Sequence, residues 1–215
     1  MKFLSVIIFT IASFFSFAQG KVSKQTTDSL ARQKTEKINR FLDLSSKDVM
    51  ADIGTGSGYS LIPIANNCPD CRFTVEDIDS TTCNRKALSK KIDKTVNKTS
   101  IDNFEFHYGA EKSTNLPSAT YNKVLIFDVI HELTYKTEML ADIKRILKPN
   151  GSIFIEEILV HNPVKKDKVC NYPFLTEPVF KQLLQDNNLA IAREEITFDT
   201  GNNRYIKIFG CTVRP

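Results

Sequence analysis

The chain has 215 residues and a mass of 24.4 kDa, a length that suits one well-packed domain and is short for two. Its 41% hydrophobic and 25% charged residues, with 8 Gly and 8 Pro, exclude the collagen-like, low-complexity and disordered classes. The net charge of +4 is too small to indicate a nucleic-acid partner, so none is expected.

The first residues have the pattern of a secretory signal peptide. One lysine precedes an apolar run at residues 3–17, which is shorter than the ~20 residues that a membrane-spanning helix needs. Small residues stand at the −3 and −1 positions before Gln19, as cleavage requires. We therefore predict a signal peptide at residues 1–18, export to the periplasm or the exterior, and no stable membrane span after cleavage. The alternative is an uncleaved segment, which would leave the protein membrane-anchored or cytoplasmic.

Strand-like and helix-like segments alternate along the rest of the chain. After a polar leader at residues 19–29, one domain is predicted over residues 30–215. Five βα units are expected, with strands at residues 48–54, 72–77, 104–108, 123–128 and 152–158. Two late strand-like segments, residues 190–198 and 204–213, are separated by turn residues and indicate a hairpin. This order predicts an α/β fold, a doubly wound, seven-stranded Rossmann-like sheet with a C-terminal antiparallel hairpin.

Two of the five cysteines are close in the sequence. Cys68 and Cys71 form a CxxC pair, but a zinc ribbon needs a second such pair, which is missing. A thioredoxin-like pair would open a helix after a strand, whereas this pair follows a predicted helix and precedes a strand. A loop disulfide or two free thiols is therefore expected, and the sequence leaves both open.

A glycine-rich turn follows the first predicted strand. In the segment Asp52-Ile-Gly-Thr-Gly-Ser-Gly58, the glycines permit positive φ and a close approach of a ligand to the backbone. The start of the next helix presents free amides to a polar or anionic group. Asp77 ends the second strand, where a carboxylate can accept both hydroxyls of a ribose. Tyr59 stands where a dinucleotide-binding turn carries its third glycine, which disfavours a nicotinamide cofactor.

These segments resemble the motifs of the class I S-adenosylmethionine-dependent methyltransferases. Residues 49–59 look like the first motif of that family, and residues 75–79 look like the second. Residues 121–133 are similar to the stretch that contains strand 4, and residues 147–151 resemble the turn before strand 5. The resemblance runs from about residue 32 to residue 209 and implies the seven-stranded methyltransferase fold with S-adenosylmethionine as the cofactor.

The resemblance also implies roles for individual residues. Three glycines would line the methionine end of the cofactor, namely Gly54, Gly56 and Gly58. Asp77 would hold the ribose, and Asp52 would support the glycine loop. The family usually offers an Asp to the adenine amino group in the segment that follows strand 3. Ala110 stands at that position here, so Glu111 is a possible substitute.

Polar residues follow strand 4, at the sheet edge where ligands bind in open α/β folds. Asp128 is either a site residue or the N-cap of the next helix. His131 is either a catalytic base or a hydrogen-bonding wall of the site. At the end of strand 5, the alternation of side chains sends one of Glu156 and Glu157 towards the site and the other elsewhere. The loop at residues 161–175 is either a substrate lid or a plain connection.

The sequence therefore favours a methyltransferase that moves a methyl group from S-adenosylmethionine to an unidentified small molecule or exported polymer. An exported, non-catalytic binding module with the same fold is the first alternative, because the signal segment would remove the protein from its usual cofactor supply. A nicotinamide-dependent oxidoreductase is the second. No metal site is predicted, and the oligomeric state is not encoded in any motif.

Overall fold

The computed structural model describes residues 24–94, 99–163 and 171–214. The predicted signal peptide lies outside these ranges, so its cleavage and the export remain predictions. Part of the 161–175 loop lies outside them as well. No helix among the described residues is both long enough and apolar enough to cross a membrane.

Strands and helices alternate as the sequence predicts. The strands are β1 (Val49–Ile53), β2 (Arg72–Asp77), β3 (Phe104–Tyr108), β4 (Tyr121–Phe127), β5 (Leu147–Val160), β6 (Leu175–Thr176), β7 (Leu189–Asp199) and β8 (Arg204–Val213). The α-helices of the described residues are α1 (Lys24–Leu42), α2 (Leu61–Asn67), α3 (Arg85–Ile92), α4 (Lys136–Ile146) and α5 (Glu177–Asp186).

The strands form one sheet in the order β3-β2-β1-β4-β5-β8-β7, and the short β6 pairs with β5 outside this path. The strands from β1 to β5 pair in parallel, whereas β8 runs antiparallel to both β5 and β7. The predicted fold class is therefore confirmed, including the antiparallel hairpin. The chain order reverses between β1 and β4, which opens a crevice at the carboxyl ends of these strands.

Helices cover both faces of the sheet because the central strands are apolar on both sides. In β4, Val124 and Ile126 pack in the cluster that contains α4 and α5, whereas Leu125 and Phe127 pack in the cluster that contains α1, α2 and α3. This alternation follows from the two-residue period of a strand. The packing fixes β1 and β4 at the centre and so holds the crevice between them.

Two boundaries differ most from the sequence prediction. The helix α1 begins at Lys24, within the segment expected to be a polar leader. The strand β5 begins at Leu147 rather than at residue 152. The predicted turn residues lie within β5, where they shift its register with β4. Among them, Asn150 has a positive φ of 64°. Turn chemistry thus marks an irregularity of the strand instead of its start.

Cys68 and Cys71 are joined by a disulfide in the connection between α2 and β2. Of the two alternatives that the sequence left open, the structure has the loop disulfide. The pair precedes β2 and therefore lies at the amino edge of the sheet, opposite the glycine-rich turn. Cys83 and Cys211 are buried free thiols.

Candidate active site

The glycine-rich turn adopts the left-handed conformation that only glycine takes without strain. Gly54, Gly56 and Gly58 have φ values of 69°, 52° and 74°. A Cβ at Gly54 would lie 2.6 Å from a methyl group of Val129, and a Cβ at Gly58 would overlap Leu88. Conformation and close packing therefore both require glycine, as the sequence pattern indicates.

Asp77 holds this turn through its carboxylate. Its Oδ2 accepts a hydrogen bond of 2.7 Å from the backbone N–H of Gly56, and its Oδ1 accepts one of 2.9 Å from the N–H of Asp79. Burial raises the pKa of Asp77, and these two backbone donors oppose the shift. Each carboxylate oxygen has a second lone pair, so Asp77 can still accept two hydroxyl donors from a ligand.

Two buried acids lie beneath the same turn. Asp52 is 5% exposed, and burial raises its pKa to about 7 against the opposing effect of Thr55. The Thr55 hydroxyl donates to the carbonyl of Asp52 over 2.8 Å, which ties the turn to the end of β1. Glu76 is 2% exposed and was not singled out from the sequence. Its only sequence signal is its position directly before Asp77 at the end of β2.

Glu111 lies on the turn that follows β3. The turn is closed by a hydrogen bond of 2.7 Å from the N–H of Ala110 to the carbonyl of Ser113. Glu111 itself is exposed. The buried carboxyl next to this segment belongs to Glu76, because a Cβ at Gly109 would overlap Glu76 Oε1.

A buried histidine and carboxylate pair lies at the ends of β4 and β5. The Nδ1 of His131 is 2.6 Å from Glu157 Oε1, and the His131 backbone N–H donates to Glu157 Oε2 over 3.2 Å. His131 is 5% exposed and Glu157 is fully buried. With Nδ1 as the donor to Glu157, the neutral ring has its lone pair on Nε2, which lies 3.7 Å from Glu132 Oε1. The ring of Phe174 meets the His131 ring edge-on at 5.0 Å.

Asp128 follows β4 in a strained conformation. Its φ is 58°, and its N–H donates to the carbonyl of Glu156 over 2.9 Å. The helix-cap interpretation is wrong, because the next helix begins at Lys136 with Tyr135 at its N-cap. The Oδ1 of Asp128 is inaccessible to water and has no hydrogen-bond partner among the described residues. Burial raises the pKa of Asp128 to about 7, although Lys34 opposes the shift.

Lys34 of α1 enters this region and was not predicted from the sequence. Its ammonium lies 2.7 Å from Glu156 Oε2, with side-chain exposures of 12% for Lys34 and 0% for Glu156. The hydroxyl of Thr197 donates to the other oxygen of Glu156 over 2.7 Å. Burial lowers the pKa of Lys34, but Glu156 and Asp128 raise it by more, so the net shift is upward. The two acids at the end of β5 thus have different partners, as the strand alternation predicts.

Comparison with known proteins shows that part of the chain is similar to a family. Residues 51–153, which include the glycine turn, Asp77 and His131, match the family model of a methyltransferase domain. A SAM-dependent methyltransferase from Aquifex aeolicus is similar to the chain with a TM-score of 0.67 and 18% identity, over 90% of this chain and 100% of that one. The fold is that of the class I methyltransferases.

Proteins with this class I methyltransferase fold differ in their reactions. The 4+2 cyclase SpnF is similar with a TM-score of 0.71 and 13% identity, over 91% of this chain and 84% of that one. The mitomycin 7-O-methyltransferase MmcR is similar with a TM-score of 0.65 and 16% identity, over 88% of this chain and 55% of that one. No curated protein matches the chain by sequence. The fold therefore does not determine the reaction, which depends on the residues of the site.

Proposed function

We propose that the protein is a methyltransferase that uses S-adenosylmethionine and acts on an acceptor group that loses a proton during transfer. The observation that carries the proposal is the buried pair of His131 and Glu157 beside the glycine crevice. The methyltransferase-domain match and the structural neighbours support S-adenosylmethionine as the cofactor.

The residues of the crevice fit this cofactor. Asp77 retains two acceptor positions for the ribose hydroxyls, and the left-handed glycines leave the loop backbone open to the methionine portion. When bound, the cofactor supplies an electrophilic methyl group on a positively charged sulfur.

His131 would take the proton of the acceptor. Glu157 fixes the ring through Nδ1, and Nε2, which lies 3.7 Å from Glu132 Oε1, would take the proton. Glu157 also accepts from the N–H of Ile158 over 2.9 Å, so its orientation is set from both β5 and the loop that follows β4. Phe174 covers one edge of the ring and excludes water from that side. Such an arrangement suits a hydroxyl or an amine that is neutral before transfer.

The proposed location is outside the cytosol, with a small molecule or an exported polymer as the acceptor. The disulfide between Cys68 and Cys71 supports this location, because disulfides persist in oxidising compartments. The test is mass spectrometry of the protein from its native host. We expect the mature chain to begin at Gln19, and a cytosolic protein that retains Met1 would contradict export.

The cofactor is tested by calorimetry of residues 19–215 against S-adenosylmethionine, S-adenosylhomocysteine and NAD. We expect binding of the first two compounds and none of NAD. Binding of NAD alone would instead favour the oxidoreductase.

Methyl transfer is tested with methyl-labelled cofactor and the small-molecule fraction of the native host. We expect labelled product from the wild type and none from His131→Asn, although this variant should bind S-adenosylhomocysteine as tightly as the wild type. His107→Asn is the matched control, because His107 is exposed on β3. Cofactor binding without transfer to any fraction would favour the non-catalytic binding module.

A further inference from the structure

Glu76 is a buried acid with an unsatisfied oxygen. The residue is 2% exposed, and its Oε1 is inaccessible to water and has no hydrogen-bond partner among the described residues. Ionising a buried carboxyl that has one unpartnered oxygen is strongly unfavourable, whereas burying the uncharged acid is much less so. The packing therefore favours the uncharged form of Glu76.

The Glu76 carboxyl lies between the two segments that border the crevice. On one side it interacts with the backbone N–H of Gly54 in the glycine turn. On the other side it fills the space beside Gly109, where a Cβ would overlap Oε1 and would lie 3.0 Å from the carbonyl of Ser113. The main chain of β2 adds a contact, since the N–H of Thr55 donates to the carbonyl of Glu76 over 3.0 Å.

The charged groups that act on this carboxyl are all acids. Asp52 approaches it from β1, Asp77 is its neighbour in β2, and Asp142 approaches from α4. Burial and Asp77 raise the pKa of Glu76 to about 8, and the Gly54 N–H only partly opposes them. Ionisation would add a further negative charge to an acidic, water-poor region.

We propose that Glu76 is a positioning residue whose uncharged carboxyl holds the glycine turn and the 109–113 segment at the spacing that the cofactor needs. The inference rests on the proposed function, because it assigns the cofactor to the crevice between these segments. When Glu76 ionises, the Gly54 N–H partly compensates the charge, but Oε1 stays without a hydrogen-bond partner among the described residues. The two segments then separate, and affinity for the cofactor falls.

The test is the affinity for S-adenosylhomocysteine, measured by calorimetry between about pH 6.5 and about pH 9. If only the uncharged form binds, the wild type should lose about tenfold in affinity between about pH 7 and about pH 9. Glu76→Gln replaces the acid with an uncharged side chain of the same shape, so it should bind like the wild type near pH 7 and keep its affinity at pH 9. Glu105→Gln on β3 is the matched control, because Glu105 is exposed, and it should follow the wild type.

Several outcomes would overturn this inference alone. One is an affinity of Glu76→Gln that changes with pH in parallel with the wild type. Another is a wild-type affinity that stays constant or rises with pH. The third is a loss of affinity in Glu76→Gln at every pH. The last result would make Glu76 a direct ligand contact. Absence of binding by the wild type near pH 6.5 would overturn the proposed function and this inference with it. If Glu76→Gln does not fold, Glu76→Met provides another uncharged side chain of similar length and is judged by the same criteria.

Discussion

Asp77 and Gly56 are joined by a hydrogen bond of 2.7 Å, so the carboxylate that ends β2 fixes the middle of the glycine turn that follows β1. One side chain thus has two tasks in the proposed enzyme. It maintains the turn in the absence of a ligand, and it offers its remaining lone pairs to the ribose of the cofactor.

Asp77→Asn tests the second task. The amide can still accept from Gly56 through its oxygen, but its NH2 then faces the N–H of Asp79, and it loses the charge that strengthens hydrogen bonds to a ribose. We expect the affinity for S-adenosylhomocysteine to fall, with a cost of about 1.5–3 kcal/mol for each charge-assisted bond that is lost. Calorimetry provides the measurement, and Asp79→Asn on the adjacent exposed turn is the control. Wild-type affinity in Asp77→Asn would show that the ribose is held elsewhere.

Gly56→Ala places a Cβ on a residue with a φ of 52°. The strain should lower the free energy of unfolding by about 1 kcal/mol, and the Cβ should crowd the ligand side of the turn. We expect a folded protein with little binding of S-adenosylhomocysteine. Gly201→Ala is a matched control, since Gly201 has a φ of 69° and its Cβ would meet no atom within 4 Å. It should show similar strain with unchanged affinity, and equal affinity in both variants would exclude the turn from the cofactor site.

Lys34→Met removes the cation that compensates buried Glu156. Breaking a buried ion pair on one side costs about 3–5 kcal/mol, because the remaining charge is left without a partner. We expect a loss of this size in urea unfolding near neutral pH. The double variant Lys34→Met with Glu156→Gln should recover most of it, because the uncompensated charge is gone. Equal stability of the wild type and Lys34→Met would show that the pair is not formed in solution.

Reduction of the disulfide should lower stability only modestly. Cys68 and Cys71 are three positions apart, and closing so short a loop removes little entropy from the unfolded chain, worth about 2 kcal/mol. Thermal unfolding with and without a reductant measures the change. The double variant Cys68→Ala with Cys71→Ala should not respond to the reductant. A wild type that responds no more than this variant would show that the two thiols are free in solution.

The order of strands and the glycine turn could be predicted because their signals are local. The turn needs glycine at Gly54 and Gly58 for their positive φ, and this requirement is local to the residues that follow β1. The position of Asp77 could be predicted for the same reason, because the pattern of β2 ends at this residue. Parallel strands bring their carboxyl ends to one edge of the sheet, so neighbouring site residues follow from the topology.

The partners of the buried charges could not be predicted in this way. The helical period places Lys34 on the same face of α1 as the buried Ile38 and Phe41. It does not indicate that Glu156 is the acid that Lys34 meets once α1 has packed on the sheet. The positive φ of Asp128 is equally invisible in the sequence, because a non-glycine residue carries no sign of it. The proposed role of Glu76 depends on Gly109 having no side chain, because the Glu76 carboxyl fills the space beside it. This contact joins two separate strands and their loops, so no local pattern predicts it.

Lys34, Glu156 and Glu157 all lie outside residues 51–153, the segment that matches the methyltransferase domain, whereas the glycine turn and Asp77 lie inside it. The groups that set the charge around Asp128 and orient His131 therefore come from sequence that flanks the matched segment. A change in these flanks alone would alter the protonation and orientation of Asp128 and His131 while the glycine turn stayed the same. A comparison restricted to residues 51–153 would not record such a change.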